Sequence, residues 1–193
     1  AAVDESDMHL ATKLLIEFQV LTGARTGEAR LATWSEMRLD REQWVIPAGR
    51  VKSDREFRIH LSAHAQSVLA RAKAIRSDES DFVFPGAKGK EMDKMATARA
   101  LARLAERVEA KGGKKLRPHD LRRTFRTMLS RLGVQPHIAE LCMNHQETET
   151  MRRVYDGHDY SAEMILAWDL VGSHVASLRN GGALVIPIMS RRA

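Results

Sequence analysis

Pro118-His119-Asp120-Leu121-Arg122-Arg123-Thr124 opens a helix, and the rest of the chain is read from it. Proline at the first helical position costs no hydrogen bond, because the N–H it lacks has no intrahelical partner there. His119 and Arg122 stand three residues apart in the first turn, so both can face one spot beside the positive helix N-terminus, where a phosphate is favoured. Apolar spacing carries the helix to about Leu132, where Gly133 stops it. Taken alone, the pattern has an ordinary alternative: a capping histidine and a solvated arginine.

Upstream, Thr22-Gly23-Ala24-Arg25-Thr26-Gly27-Glu28 brackets an arginine with two glycines, as in a tight turn that fixes a guanidinium. Glu28 is within reach as its orienting partner. A helix C-cap followed by an exposed arginine is the plainer reading of this heptapeptide, and the phosphate-cradling spacing G-x-x-x-x-G-K-[ST] is absent. Downstream, Leu141-Cys142-Met143-Asn144-His145 is followed ten residues later by Tyr155, with Tyr160 as a second candidate tyrosine. A loop histidine and a half-buried packing tyrosine are the unremarkable readings of these.

Leu10, Leu14, Leu15, Phe18 and Leu21 recur at helical spacing behind a Ser/Asp cap from Ser6, and predict a buried helix of about four turns closed by Gly23. A short helix follows from Thr26 or Gly27 through Ala32. Trp44-Val45-Ile46-Pro47 and Phe57-Arg58-Ile59-His60-Leu61 flank the basic turn 49–55 and predict a β-hairpin, with Phe82-Val83-Phe84 as a candidate third strand. Ser62 caps a helix with Val68, Leu69, Ala72 and Ile75 inward, and Asp93 starts another with Met95, Leu101, Leu104, Ala105 and Val108 inward. Residues 111–115 are basic and linker-like. Further helices follow Pro136, cover 148–155 and run from Ser161 to about Leu178, with Gly181-Gly182 leading to an apolar tail at 183–188. The expected architecture is mainly α with a small antiparallel β-sheet, an α+β fold.

The chain has 193 residues, 44% of them hydrophobic, which suits one sizeable core and is too little for two ordinary domains. No run approaches the ~18 apolar residues that span a bilayer, and residues 1–8 lack the order of a secretory signal. A single cysteine, Cys142, excludes an internal disulfide and any zinc site built on cysteine pairs. Lys plus Arg at 31 against Asp plus Glu at 25 leaves a charge of +6, which suits a polyanion, with nucleic acid the leading partner.

The order Arg25, Lys52 in the hairpin turn, His119 and Arg122, His145, then Tyr155 resembles the catalytic domain of the tyrosine recombinases, the phage integrase family. The resemblance runs from about Ser6 to Trp168. It includes the T-G-x-R-x-G-E turn with its following L-x-x-W, the hairpin lysine, the P-H-D-L-R-R-T box, and Tyr155-Asp156-Gly157-His158-Asp159-Tyr160. It looks most like integrases of prophages and genomic islands. Two positions depart: Asn144 stands where the family commonly has glycine, and His60 where it often has proline. Asparagine tolerates the left-handed backbone a glycine supplies, so no reactive group is lost.

The resemblance implies a tyrosine recombinase or type IB topoisomerase-like catalytic domain over 1–180, an extended tail over 181–193, and upstream DNA-binding domains missing from this chain. It implies that Tyr155 attacks a DNA phosphodiester, giving a 3′-phosphotyrosyl bond and a free 5′-hydroxyl. His119 suits the base, Arg25 and Arg122 a clamp on the non-bridging oxygens, and His145 a further donor to them. Glu28 orients Arg25 or His119, and Lys52 protonates the leaving 5′-oxygen. Arg50, Arg55, Arg123, Lys114 and Lys115 are expected to contact DNA. With two arginines doing what divalent metals do elsewhere, no metal or cofactor is expected. The implied partner is double-stranded DNA, bound by a tetramer of the full-length protein, the isolated domain being a monomer. The expected setting is the bacterial cytoplasm and nucleoid, away from membranes, and the outcome integration or excision of a mobile element. A type IB topoisomerase shares the chemistry but reseals the strand it cut. A non-catalytic helix-turn-helix built from 119–132 and 136–143 leaves Arg25, Lys52 and Tyr155 unexplained.

Overall fold

The computed structural model describes residues 6–51, 53–76, 80–109, 116–145 and 159–182. At its centre is α1 (Leu10–Thr22), whose Leu14, Leu15, Phe18 and Leu21 are buried as their spacing predicts. The helix begins on His9 without a side-chain cap rather than on the expected Ser/Asp cap, and Leu10, one turn too early to be covered, is exposed. Gly23 ends it in the left-handed conformation at φ 69°. α2 (Thr26–Arg30) follows at once.

The hairpin forms as predicted from β2 (Gln43–Ile46) and β3 (Phe57–His60), antiparallel, with Trp44 opposite Ile59. The third strand is a correction. It is β1 (Met37–Arg38), which pairs with β2, and not Phe82-Val83-Phe84, which makes one isolated bridge from Phe82 to Thr33. A two-residue strand is too short to show alternation, whereas Val83 and Phe84 are apolar because they are buried. Phe84 and Trp44 both tilt against Phe18, with ring centroids 5.3 and 5.2 Å away.

Ser62 caps α3 (Ala63–Ala74), its Oγ accepting from the Ala65 N–H at 3.4 Å, and Val68, Leu69 and Ala72 face inward. Ile75 and Met95, both expected inward, are exposed; Ile75 lies just past the end of α3 and Met95 just before α4 (Ala96–Glu109), beyond the regular turns that set their phase. Leu101, Leu104 and Ala105 are buried as expected. The Pro118 box forms α5 (Pro118–Arg131), followed by α6 (Pro136–Cys142) and α7 (Ser161–Arg179). α1 packs against α3, α4, α5 and α7, so helices surround it, and Trp44 of the sheet meets it at Phe18. The predicted helix at 148–155, the 111–115 linker and the 183–188 tail lie outside the described residues, as does the side chain of Val108. None of the described helices is long and apolar enough to cross a membrane. Burial pushes the Cys142 thiol up to about 12, which leaves it an unreactive packing group.

α7 is tied to the centre by charge as well as packing. Glu17 of α1 accepts from His64 Nε2 at 2.8 Å, from Arg71 at 3.0 Å and from Arg179 of α7. Burial alone raises its pKa; the hydrogen bonds from His64 and Arg179 and the charges of Arg179 and Arg71 outweigh this and lower the carboxyl from 4.5 to about 2. A depressed carboxyl stabilises the fold above its ordinary pKa and loses that effect as pH falls through the folded value. Glu17→Gln is therefore expected to cost about 1–3 kcal/mol at neutral pH, after allowance for the solvent-screened arginines. In urea denaturation followed against pH, variant and parent should converge as pH falls from 4.5 towards 2. A gap that stayed constant over that range would rule out the charge network as its origin.

Candidate active site

The site is assembled where three chain turns meet at one end of α1. Gly23 makes this possible. A Cβ there would stand 2.3 Å from Cδ1 of Phe125, so only glycine allows the end of α1 to lie against α5. The Thr22 carbonyl beside it accepts from Trp168 Nε1 of α7 at 3.2 Å. Arg25 follows directly. Its backbone N–H donates to Glu28 Oε2 at 2.7 Å and its Nη1 to Glu28 Oε1 at 2.8 Å, so one buried carboxylate caps α2 and aims the guanidinium. Of the two partners expected for Glu28, the structure pairs it with Arg25.

Arg122, 5% exposed, donates from Nη1 to the Gly23 carbonyl and from Nη2 to the Met143 carbonyl. It thereby touches both the turn that carries Arg25 and the turn that carries His145. Burial, and then the nearby positive charge of Arg25, lower its pKa to about 10, with Glu28 and Glu140 acting the other way. It stays charged at neutral pH. Guanidinium donors remain over for a ligand after the two carbonyls are satisfied.

His119 lies in the first turn of α5, exposed and without a hydrogen-bond partner among the described residues. Asp120, beside it, serves the helix start by accepting from the Arg117 N–H at 2.9 Å. Asn144 adopts φ 47°, the left-handed backbone anticipated at this position, and its Nδ2 donates to Ser53 Oγ at 3.4 Å. The turn before His145 therefore touches the hairpin loop. His145 itself is half-exposed and donates from Nδ1 to Glu140 Oε2 at 2.5 Å.

Arg50, expected to contact DNA, is turned inward: it donates to the buried carboxylate of Glu36, and at 2.6 Å to the Glu28 carbonyl. Glu36 also accepts from Trp44 Nε1 at 2.9 Å, so Arg50 fastens the hairpin loop to α2 through a satisfied buried acid. Arg55 and Arg123 are exposed, Arg123 lying 3.9 Å from Asp120. Tyr160 packs edge-on to His137 with ring centroids 5.1 Å apart. Lys52, Tyr155, Lys114 and Lys115 lie outside the described residues. Sequence reasoning missed Glu36, Ser53 and Glu140, polar residues whose partners are remote in the chain or outside the helical spacings usually searched.

The sequence profile of the phage integrase family matches residues 1–162. The chain belongs to the phage integrase family. Among its relatives, prophage integrase IntA of Escherichia coli K12 is 29% identical over 192 residues, covering 96% of this chain and 44% of that protein. Prophage integrase IntZ of the same organism is 33% identical over 147 residues, covering 75% of this chain and 35% of its own length. This integrase-family chain thus spans less than half of either relative. The Tn1549 transposon integrase, solved in complex with circular intermediate DNA, superposes at a TM-score of 0.62 with 16% identity, over 83% of this chain and 58% of that one. The XerH recombinase bound to its difH substrate gives 0.61 at 20% identity, over 78% and 45%. At such identities the likeness is one of fold, and the expected mainly helical tyrosine recombinase architecture with a small antiparallel sheet is borne out.

The meeting of α1 and α5 can be tested at two glycines. Gly23→Ala adds a Cβ against Phe125 at a left-handed backbone position and is expected to destabilise the integrase domain by about 1–3 kcal/mol in urea denaturation. Gly27→Ala, where nothing lies within 4 Å of the added atom, should change stability by less than about 0.5 kcal/mol. Equal behaviour of the two variants would contradict the close approach at Gly23.

Proposed function

We propose that this domain cuts and rejoins double-stranded DNA in site-specific recombination, integrating or excising a mobile element, with Tyr155 as nucleophile. The observation that carries this reading is that buried Arg122 bonds the Gly23 carbonyl, two residues before Arg25, and the Met143 carbonyl, two residues before His145, while Glu28 holds the Arg25 guanidinium. Support also comes from the relatives, which are prophage integrases, and from the solved Tn1549 integrase and XerH, both in complex with DNA.

In the proposed reaction, the Tyr155 phenol oxygen bonds to phosphorus as the bond from phosphorus to the 5′-oxygen breaks. His119 takes the phenol proton, which a pKa of about 10 otherwise keeps in place at neutral pH. Arg25 and Arg122 hold the non-bridging oxygens in fork geometry as they gain charge, and His145 donates to the same oxygens. Lys52 gives a proton to the departing 5′-oxygen. Attack by a 5′-hydroxyl on the phosphotyrosine reverses these steps and reseals DNA without ATP. Arg55, Arg123, Lys114 and Lys115 make phosphate contacts, whereas Arg50 supports the hairpin. This unit, 1–180 with its tail, works as the catalytic domain of a longer nucleoid-associated cytoplasmic protein that forms a tetramer on DNA.

On duplexes nicked near the cleavage site, the parent is expected to accumulate a covalent protein–DNA adduct and Tyr155→Phe none, with DNA affinity little changed. An adduct that survived in Tyr155→Phe but vanished in Tyr160→Phe would move the nucleophile. For the proton donor, Lys52→Ala should cut cleavage of ordinary DNA by about two to four orders of magnitude. With sulfur in place of the bridging 5′-oxygen, the leaving group departs unprotonated and that defect should nearly vanish, while Arg25→Ala stays impaired on both substrates. Equal impairment of Lys52→Ala on both would reduce Lys52 to a binding residue.

A further inference from the structure

The carboxylate of Glu140, on α6, is gripped from both sides. Oε1 accepts from Arg126 Nε of α5 at 2.8 Å, and Oε2 accepts from His145 Nδ1 at 2.5 Å. Arg126 is itself steadied by donating to Ser130 Oγ at 2.5 Å, and the His145 backbone N–H donates to the Glu140 carbonyl at 3.1 Å. Burial acts to raise the Glu140 pKa, but the hydrogen bonds from Arg126 and His145 and their charges hold it below the ordinary carboxylate range. At neutral pH the group is therefore ionised and can only accept, so the proton in the short contact belongs to Nδ1.

We propose that Glu140 is a positioning residue for strand cleavage: by accepting the Nδ1 hydrogen bond it fixes the direction of the His145 ring so that Nε2 alone meets the DNA phosphate, with Arg126 fixing Glu140 in turn. The proposal rests on the reading of His145 as a donor to the phosphate oxygens. It adds a chemical condition to that reading. A ring that gives its Nδ1 proton to Glu140 can donate at Nε2 only when doubly protonated, and Glu140 is then the counter-charge of the imidazolium. Stability alone is a weak reason for this geometry, because Glu140 and His145 are 34% and 45% exposed and ion pairs this open to solvent contribute little to folding. The arrangement also joins the last box to the helix that carries His119 and Arg122, since Arg126 lies one turn beyond Arg122 on α5.

The test uses two readouts on the 193-residue chain. In histidine labelled with nitrogen-15, the His145 resonances, assigned by their loss in His145→Gln, should show a protonated Nδ1 in the parent, and Glu140→Ala should lose that signature. On nicked duplexes, Glu140→Ala should slow adduct formation about tenfold to a hundredfold, the worth of one charge-assisted hydrogen bond. Glu140→Gln, which keeps a neutral acceptor, should recover part of the loss. His145→Ala should be impaired as well, and adding Glu140→Ala to it should cause no further loss, because the glutamate acts through that ring. If His145→Ala cleaves like the parent, the donor reading of His145 fails and the proposal with it. If His145→Ala is impaired but the two defects multiply, the donor reading stands and the positioning role is overturned. An unchanged ring state in Glu140→Ala overturns it whatever cleavage does.

Discussion

Arg122 is a permanent charge taken almost wholly out of water, and the site takes its shape from how that charge is satisfied. Its donors go to the carbonyls of Gly23 and Met143, the first at the end of α1 and the second just past the end of α6. Burying a guanidinium costs several kcal/mol unless its donors find partners, so those carbonyls cannot drift away without a large penalty. The turn bearing Arg25 and the turn bearing His145 are thereby held to the helix bearing His119. Gly23 serves the same junction sterically, since the Phe125 ring occupies the space of a side chain there.

Around this junction, among the described residues, acids hold Arg25, His145 and Arg50. Glu28 holds Arg25, Glu140 holds His145, and Glu36 with the Glu28 carbonyl holds Arg50. The pKa of Arg122 is lowered to about 10, first by its burial and then by the charge of Arg25. The Arg25 guanidinium is itself only a third exposed. Farther out, His60 with Asp169 and Glu17 with Arg179 fasten α7 to the sheet and to α1.

Much of this was legible in the chain itself, because the strongest signals are local. The left-handed end of α1 at Gly23, the proline start of α5, the Ser62 cap and the pairing of β2 with β3 each follow from residues adjacent in sequence or one turn apart. The pairing of Arg25 with Glu28 is also local, a contact across one helical turn. The third strand was misplaced for the converse reason. β1 is too short to carry a periodic signal, and the burial of Val83 and Phe84 under Phe18 imitates one.

The order of residue types along the chain, and with it the family, was determined by sequence alone, since that order is fixed by the chain and does not depend on how it folds. Which of them are fixed, and by what, was decided only by tertiary structure. Arg50 reads as one more hairpin cation, yet its contacts with Glu36 and Glu28 span 14 and 22 residues. Arg122 stands out in sequence beside His119 at the start of a helix, yet the carbonyl partners that fix it lie 99 and 21 residues away. Contacts of that separation leave no periodic trace, because they arise from the packing of whole helices, and the desolvation that makes them strong does not exist until the core has formed.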